Sequence, residues 1–200
     1  MNEIVNIQDS SKIYFTSDSH FGHKNIIKYC NRPFNITWEH DEALIKNWNE
    51  KVPEDGLVFH LGDFGFGRKA YLQSIKDRLN GKIVLVIGNH DWKNIIKQKI
   101  EGFDMIVQQL NLKIRNQGII LNHYPMLCYS GVYRSTPVWQ LFGHVHSGPL
   151  SNQGLDHSRL DMLYSTQYDV GVDNNNFTPI SYDEVAEKIY IQGLEHSEKF

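Results

Sequence analysis

Cysteine is scarce: Cys30 and Cys128 are the only two. Two thiols cannot form a disulfide framework, and neither sits in a C-x-x-C pair, so they are read as ordinary thiols and redox chemistry is set aside. Long hydrophobic runs are missing too. The longest purely aliphatic stretch is Ile83 to Ile87, far below the roughly 20 apolar residues a membrane-spanning helix needs. Residues 1–12 have no basic start followed by an apolar stretch, so no secretory signal is expected and the cytoplasm is the expected location. No block of one charge sign occurs: 20 Lys+Arg stand against 23 Asp+Glu, a net charge of −3. This gives no footprint for extended nucleic acid, although a short nucleotide stays open. With no G-x-S-x-G and no Gly-rich P-loop, a serine nucleophile and phosphoryl transfer from ATP lack support. No linker or internal repeat breaks the 200 residues, which read as one domain over 1–200.

What is present is a series of short apolar runs, each ending in polar residues. Lys12–Thr16, Leu57–Leu61 and Lys82–Ile87 read as strands. Between them, His20–Cys30 predicts a helical turn region, Thr37 an N-cap for a helix reaching Val52, and Lys69–Leu79 a second helix stopped by Asn80-Gly81. From Asp104 the texture changes. Asp104–Leu112, Leu112–Arg115 and Gly118–Asn122 are strand-like runs parted by turns and lack intervening helices. Val138–Phe142 and Tyr168–Val172 predict further strands, and Ser181-Tyr-Asp-Glu184 is a capping box opening a terminal helix. The polar stretch Ser147–Ser165 reads as loop. Trp38, Trp48 and Trp139 are expected in the core.

Five of the strand-like segments end in metal-ligand residue types: Asp18-Ser-His20, Gly62-Asp63, Gly88-Asn89-His90-Asp91, Asn122-His123 and Gly143-His144-Val145-His146. Open α/β sheets place their sites beyond the carboxyl ends of strands, so all five can converge. Two of the five use an i, i+2 spacing that puts both side chains on one face of extended chain. Taken singly, each signal has a bland reading as a turn or cap, Gly88–Asp91 above all. Their joint occurrence, in order and each after an apolar run, is what points to a metal site. Carboxylate, imidazole and carboxamide donors suit Mn²⁺, Fe²⁺, Ni²⁺ or Zn²⁺, and the ligands do not choose among them.

This ordered set resembles the calcineurin-like metallophosphoesterase superfamily, whose pattern runs D-x-H, G-D, G-N-H-[DE], a lone H and G-H-x-H. Within it, the stretch from Asp18 to Ile27, Arg32-Pro-Phe34 and Tyr168-Asp-Val-Gly-Val-Asp173 look like the small bacterial and phage-type phosphoesterases. The resemblance implies an α/β protein built as a four-layer α-β-β-α sandwich with mixed sheets. It also implies two adjacent divalent ions, one held by Asp18, His20 and His146, the other by Asn89, His123 and His144, with Asp63 bridging. Two carboxylates, two divalent ions and one shared hydroxide leave the site at about +1, which attracts phosphate anions. Paired ions lower the pKa of the shared water and set it for in-line attack on phosphorus. His90 is assigned as general acid to the leaving oxygen, its ring turned away from the metals toward substrate, with Asp91 fixing its tautomer. The expected partner is a small phosphate mono- or diester, a nucleotide being one candidate.

Around this set the readings are more open. His23 either reaches the site to meet substrate or sits on the first helical turn. Arg32 either clamps a phosphate oxygen or is exposed before Pro33. His60 reads as a core or supporting histidine, Asn122 as support for its neighbour, and Arg68 and Arg134 as solvated surface in preference to substrate contacts. Specificity is assigned to loops Asn31–Thr37, Tyr129–Pro137 and Ser147–Ser165. Two alternatives stand beside the phosphoesterase: a non-catalytic scaffold that keeps the metals, which the retained His90 argues against, and a metal-dependent amidohydrolase, whose eight β/α repeats hardly fit 200 residues.

Overall fold

The run Ile13-Tyr-Phe-Thr16 is buried at every residue, and its side chains divide by parity. Ile13 and Phe15 enter one hydrophobic cluster, Tyr14 the other. Val58 and Phe59 split in the same way, as do Ile83 and Leu85 against Val84 and Val86. Strands buried on both faces carry such continuous apolar runs, because successive side chains point to opposite sides. A computed structural model describes residues 4–147 and 161–197.

The chain is an α/β protein with two mixed five-stranded sheets. The first is ordered β10-β2-β3-β4-β5, from β2 (Ile13–Thr16), β3 (Leu57–His60), β4 (Lys82–Val86), β5 (Met105–Val107) and β10 (Ile180–Ser181). Strands β2 to β5 pair in parallel, and β10 runs antiparallel to β2. The second is ordered β1-β6-β7-β8-β9, from β1 (Ile4–Ile7), β6 (Gln109–Ile114), β7 (Gln117–Asn122), β8 (Trp139–Phe142) and β9 (Gln167–Asp169). Here β7, β8 and β9 are parallel, and β6 meets β7 through an antiparallel hairpin.

One core lies between the sheets, with Phe15, Phe59 and Val86 facing Leu112, Leu121 and Leu141. The other lies between the first sheet and the helices α2 (Thr37–Lys51) and α3 (Lys69–Lys76), which contribute Leu44, Ile45, Trp48, Leu72 and Ile75. A short helix, α1 (Lys24–Tyr29), follows β2, and a π-helical turn, Trp92–Ile96, follows β4. The terminal helix α4 (Tyr182–Ser197) buries Val185 and Ile189 against the inter-sheet core. No helix among the described residues is long and apolar enough to cross a membrane.

Several expectations change at this level. Trp38 is 68% exposed although it lies beside buried Ile45 on the helical wheel, because it stands in the first turn of α2, at the end of the packed face. Trp48 itself is buried and donates its indole N–H to the Asn80 carbonyl at 2.9 Å. Thr37 is the first residue of α2 and makes no cap bond, since the extended residue before it is Ile36. The capping box at Ser181 and Glu184 does form: Glu184 accepts the Ser181 N–H at 2.8 Å. Strands β1 and β10 lie outside the predicted set. Of the Ser147–Ser165 loop, residues 148–160 lie outside the described residues.

Candidate metal centre

Strands β2, β3 and β4 of one sheet and β7 and β8 of the other all run toward the same end of the molecule, so their carboxyl-terminal loops meet there. The loops are stitched together by backbone bonds: Asp18 N–H to the Gly62 carbonyl at 2.9 Å, His20 N–H to Asp63 at 3.0 Å, Gly143 N–H to His123 at 3.0 Å. Two glycines permit the approach. A Cβ on Gly88 would lie 2.4 Å from Asp63 Oδ1, and one on Gly143 would lie 2.2 Å from Asp18 Oδ2.

The backbone here is strained. Asp18, His20, Asp63, His144 and His146 have φ of 57°, 51°, 56°, 72° and 48°, in the left-handed region that costs a non-glycine residue about 1 kcal/mol or more. Such conformations persist only where the surroundings over-determine them, and they cluster at functional sites.

The side chains converge on two carboxylates. Asp63 Oδ2 lies 3.6 Å from His20 Nε2 and 3.8 Å from both His123 Nε2 and His90 Nε2. Asp18 Oδ1 lies 3.8 Å from His20 Nε2 and 3.9 Å from His146 Nε2. These spacings are too long for hydrogen bonds and only slightly wider than the roughly 3 to 3.5 Å between donor atoms that share an ion bound at about 2.1 Å. Asp18 Oδ1 and His20 Nε2 are buried and have no hydrogen-bond partner, a state that costs folding free energy unless a ligand satisfies it. The other carboxylate oxygens are used to hold the loops, Asp18 Oδ2 by the His144 N–H at 2.8 Å and Asp63 Oδ1 by the His90 N–H at 2.9 Å.

Tautomers follow from the outer partners. His123 Nδ1 meets the Leu61 carbonyl at 2.7 Å; a carbonyl only accepts, so Nδ1 carries a proton and Nε2 is the nitrogen turned to the site. That nitrogen stands within hydrogen-bonding distance of Asn89 Oδ1, at 3.0 Å. His144 places its ring 5.1 Å from that of His123 and 4.6 Å from Tyr124. His146 Nδ1 is 2.6 Å from Asp173 Oδ2, which turns Nε2 toward Asp18.

Charge crowding shows in the proton affinities. Burial, then the neighbouring Asp18, raises Asp63 to about 7. Burial, then His146 and Arg32, drives His20 well below its ordinary value. Burial also lowers His23 and His90, whereas the bond to Asp173 lifts His146 well above its usual range against the pull of burial. His60, buried and neutral, is pushed down to about 3 by burial and supports the site with Nε2 against Ser19 Oγ at 2.9 Å.

Three sequence expectations are corrected. Arg32 is neither an exposed residue nor a phosphate clamp: it is 3% exposed, its guanidinium consumed by Asp173, His40 and the carbonyls of Asp18 and Ser19. Asp91 makes no bond to His90. Its carboxylate accepts the N–H groups of Gly88, Asp63 and Phe64 at 2.8 to 2.9 Å, which ties the β3 and β4 loops together. The His90 ring does not turn fully away from the cluster, since Nε2 reaches within 3.8 Å of Asp63 while the ring leans on Phe66 at 4.7 Å. His23 stands at the rim, stacked on Phe66 at 4.1 Å with Nδ1 3.3 Å from His20 Nδ1. Sequence reasoning gave no role to Asp173, His40, Cys30 or Asp169. Cys30 lies within reach of His146 and Asp173, and Asp169 accepts the Ser147 N–H at 3.1 Å. The one signal for the two aspartates is their place in Tyr168-Asp-Val-Gly-Val-Asp173.

No family model matches the chain. Over 180 residues it is 32% identical to the uncharacterized protein MJ1445 of Methanocaldococcus jannaschii, covering 89% of this chain and 91% of the relative. The chain belongs to the MJ1445 family. It is also 28% identical to the gene 66 protein of Mycobacterium phage L5, over 82% of this chain and 87% of that protein. The gene 66 protein of phage D29 is 26% identical, over 90% of this chain and 96% of the phage protein. Among solved structures, the protein of unknown function AQ665 from Aquifex aeolicus superposes with a TM-score of 0.65 at 25% identity, over 88% of this chain and 97% of AQ665. None of these names states an activity.

Proposed function

We propose that the chain is a dinuclear metal-dependent phosphoesterase of the calcineurin-like metallophosphoesterase superfamily, with its two sheets and helices arranged as the four-layer α-β-β-α sandwich of that superfamily. One observation carries the reading: two buried carboxylates face the Nε2 atoms of His20, His123, His146 and His90 at 3.6 to 3.9 Å, with Asp18 Oδ1 and His20 Nε2 left unpartnered. The donor set fits two divalent ions, Mn²⁺, Fe²⁺, Ni²⁺ or Zn²⁺. Asp18, His20 and His146 would hold one, Asn89, His123 and His144 the other, with Asp63 shared between them. Bound there, the ions would supply an activated water and neutralise charge on the phosphoryl oxygens.

The chain's own residues do the rest. The bond from His146 to Asp173 and that from His123 to Leu61 fix which nitrogen each ring presents. Asp91 fixes the distance between the Asp63 and Asn89 loops through three backbone bonds. His90 is half-exposed at the rim and is the side chain placed to give a proton to the leaving oxygen. An anionic phosphate beside it raises its proton affinity, opposing the depression that burial imposes. The partner is a small phosphate mono- or diester. Free thiols at Cys30 and Cys128 favour a reducing compartment, the cytoplasm.

The test is elemental analysis of the purified protein together with turnover of a bis-aryl phosphate in Mn²⁺. Two equivalents of divalent metal and hydrolysis that falls about 10²- to 10⁴-fold in His90→Ala, with metal content unchanged, support the reading. Full metal loading with no turnover of any phosphate ester gives the scaffold instead.

A further inference from the structure

Arg32 is the one buried arginine among the described residues, and each of its hydrogen-bonding nitrogens has a partner. Nε and Nη2 meet the two oxygens of Asp173, both at 2.8 Å. Nη2 also reaches the Asp18 carbonyl at 2.8 Å, and Nη1 reaches the Ser19 carbonyl at 3.0 Å and His40 Nε2 at 2.7 Å. A guanidinium only donates, so His40 Nε2 accepts, and His40 Nδ1–H donates to Asp41 Oδ1 at 2.7 Å. Asp41 in turn takes the Gly22 N–H at 2.9 Å and the Tyr71 hydroxyl. At the other end, Asp173 accepts Nδ1–H of His146.

The polarity of this chain is fixed throughout, and it touches both loops of one half of the site. It grips the β2 loop at Asp18, Ser19 and Gly22, bracketing the left-handed residues Asp18 and His20. It also sets the ring of His146, which enters from β8. A carboxylate behind a ligating imidazole fixes its orientation, and removal of such a partner lowers metal affinity about 10- to 100-fold. Here one arginine joins that carboxylate to the backbone carbonyls of Asp18 and of Ser19, the residue that precedes His20. The Asn89, His123 and His144 half is braced differently, by the Leu61 carbonyl and by Asp91.

We infer that Arg32 and Asp173 are positioning residues for a single cation position, the one between Asp18, His20 and His146, and not substrate contacts. The inference rests on the dinuclear reading above. Its test is Mn²⁺ titration of the full chain by calorimetry, with electron paramagnetic resonance to separate a coupled ion pair from an isolated ion. Wild type is expected to bind two ions and to show the coupled signal. Asp173→Asn keeps the shape and loses the charge, and Arg32→Lys keeps the charge and loses the planar fork. Each is expected to weaken one ion about 10- to 100-fold, leave the other within about twofold, and convert the coupled signal to that of an isolated ion. Circular dichroism of the metal-free variants reports whether they fold; if Asp173→Asn does not, Arg32→Lys decides. Wild-type affinity for both ions in a folded variant overturns the inference, as does equal weakening of both. Failure of wild type to bind Mn²⁺ is a different result, and it defeats the dinuclear reading itself.

Discussion

The strands β2, β3 and β4 and the loops that leave them differ sharply, although they are joined residue to residue. Within the strands, Phe15, Phe59 and Leu85 are buried in relaxed extended backbone and packed on both faces. Two and three residues past the strand ends, Asp18 and Asp63 sit at φ of 57° and 56°, and buried polar atoms lack partners. The contrast teaches that strain and unpaired charge are held in place by the packed layer directly beneath. Five left-handed residues at roughly 1 kcal/mol or more each are affordable only over a large two-sided core.

Breaking the packed side should have the largest effect. Phe59→Ala removes a fully buried ring from the inter-sheet core and should cost about 3 to 5 kcal/mol, read as a fall of on the order of 10 °C in Tm. At the boundary between the two regions, Gly143→Ala places a methyl group 2.1 Å from Ser17 Oγ. The forced shift should cost about 1 to 3 kcal/mol and, unlike Phe59→Ala, should reduce Mn²⁺ binding in protein that is still folded; an unchanged Mn²⁺ isotherm would show that the loop yields.

On the strained side the sign reverses. Asp63 has its folded pKa raised from 3.8 to about 7, so the folded state holds the extra proton and the stability of metal-free protein falls as pH rises through that window. Asp63→Asn should therefore raise the Tm of metal-free protein above pH 7, by on the order of 1 kcal/mol or about 3 °C, while reducing metal binding. Chemical denaturation at pH 4 and pH 8 measures it, and the variant's gain should shrink at pH 4. The smallest effect belongs far from the site: Ser181→Ala, at the start of α4, should cost about 0.5 to 1 kcal/mol and leave Mn²⁺ binding untouched, as denaturation and titration together would show.

How much was legible beforehand depends on the range of the contacts. The inner strands could be read because a strand buried on both faces is apolar at every position, as in Ile83-Val-Leu-Val86. Strand β1, with alternating exposed and half-buried residues, and the two-residue β10 have no such local pattern. Trp38 and Trp48 are identical in type, and only their places along α2, at its first turn and over the core, separate an exposed ring from a buried one.

The site divides in the same way. Asp18, His20, Asp63, Asn89, His123, His144 and His146 were assembled from the sequence because each follows an apolar run, and parallel strands deliver their ends to one edge of the molecule. Arg32 and Asp91 were found but given the wrong tasks. Local sequence gives the chemical type of a side chain, a guanidinium or a carboxylate, and is silent on what it will meet. Asp173 lies 141 residues from Arg32 and 27 from His146. Only the folded chain brings the three together, because a buried charge must find its partner wherever the packing places one.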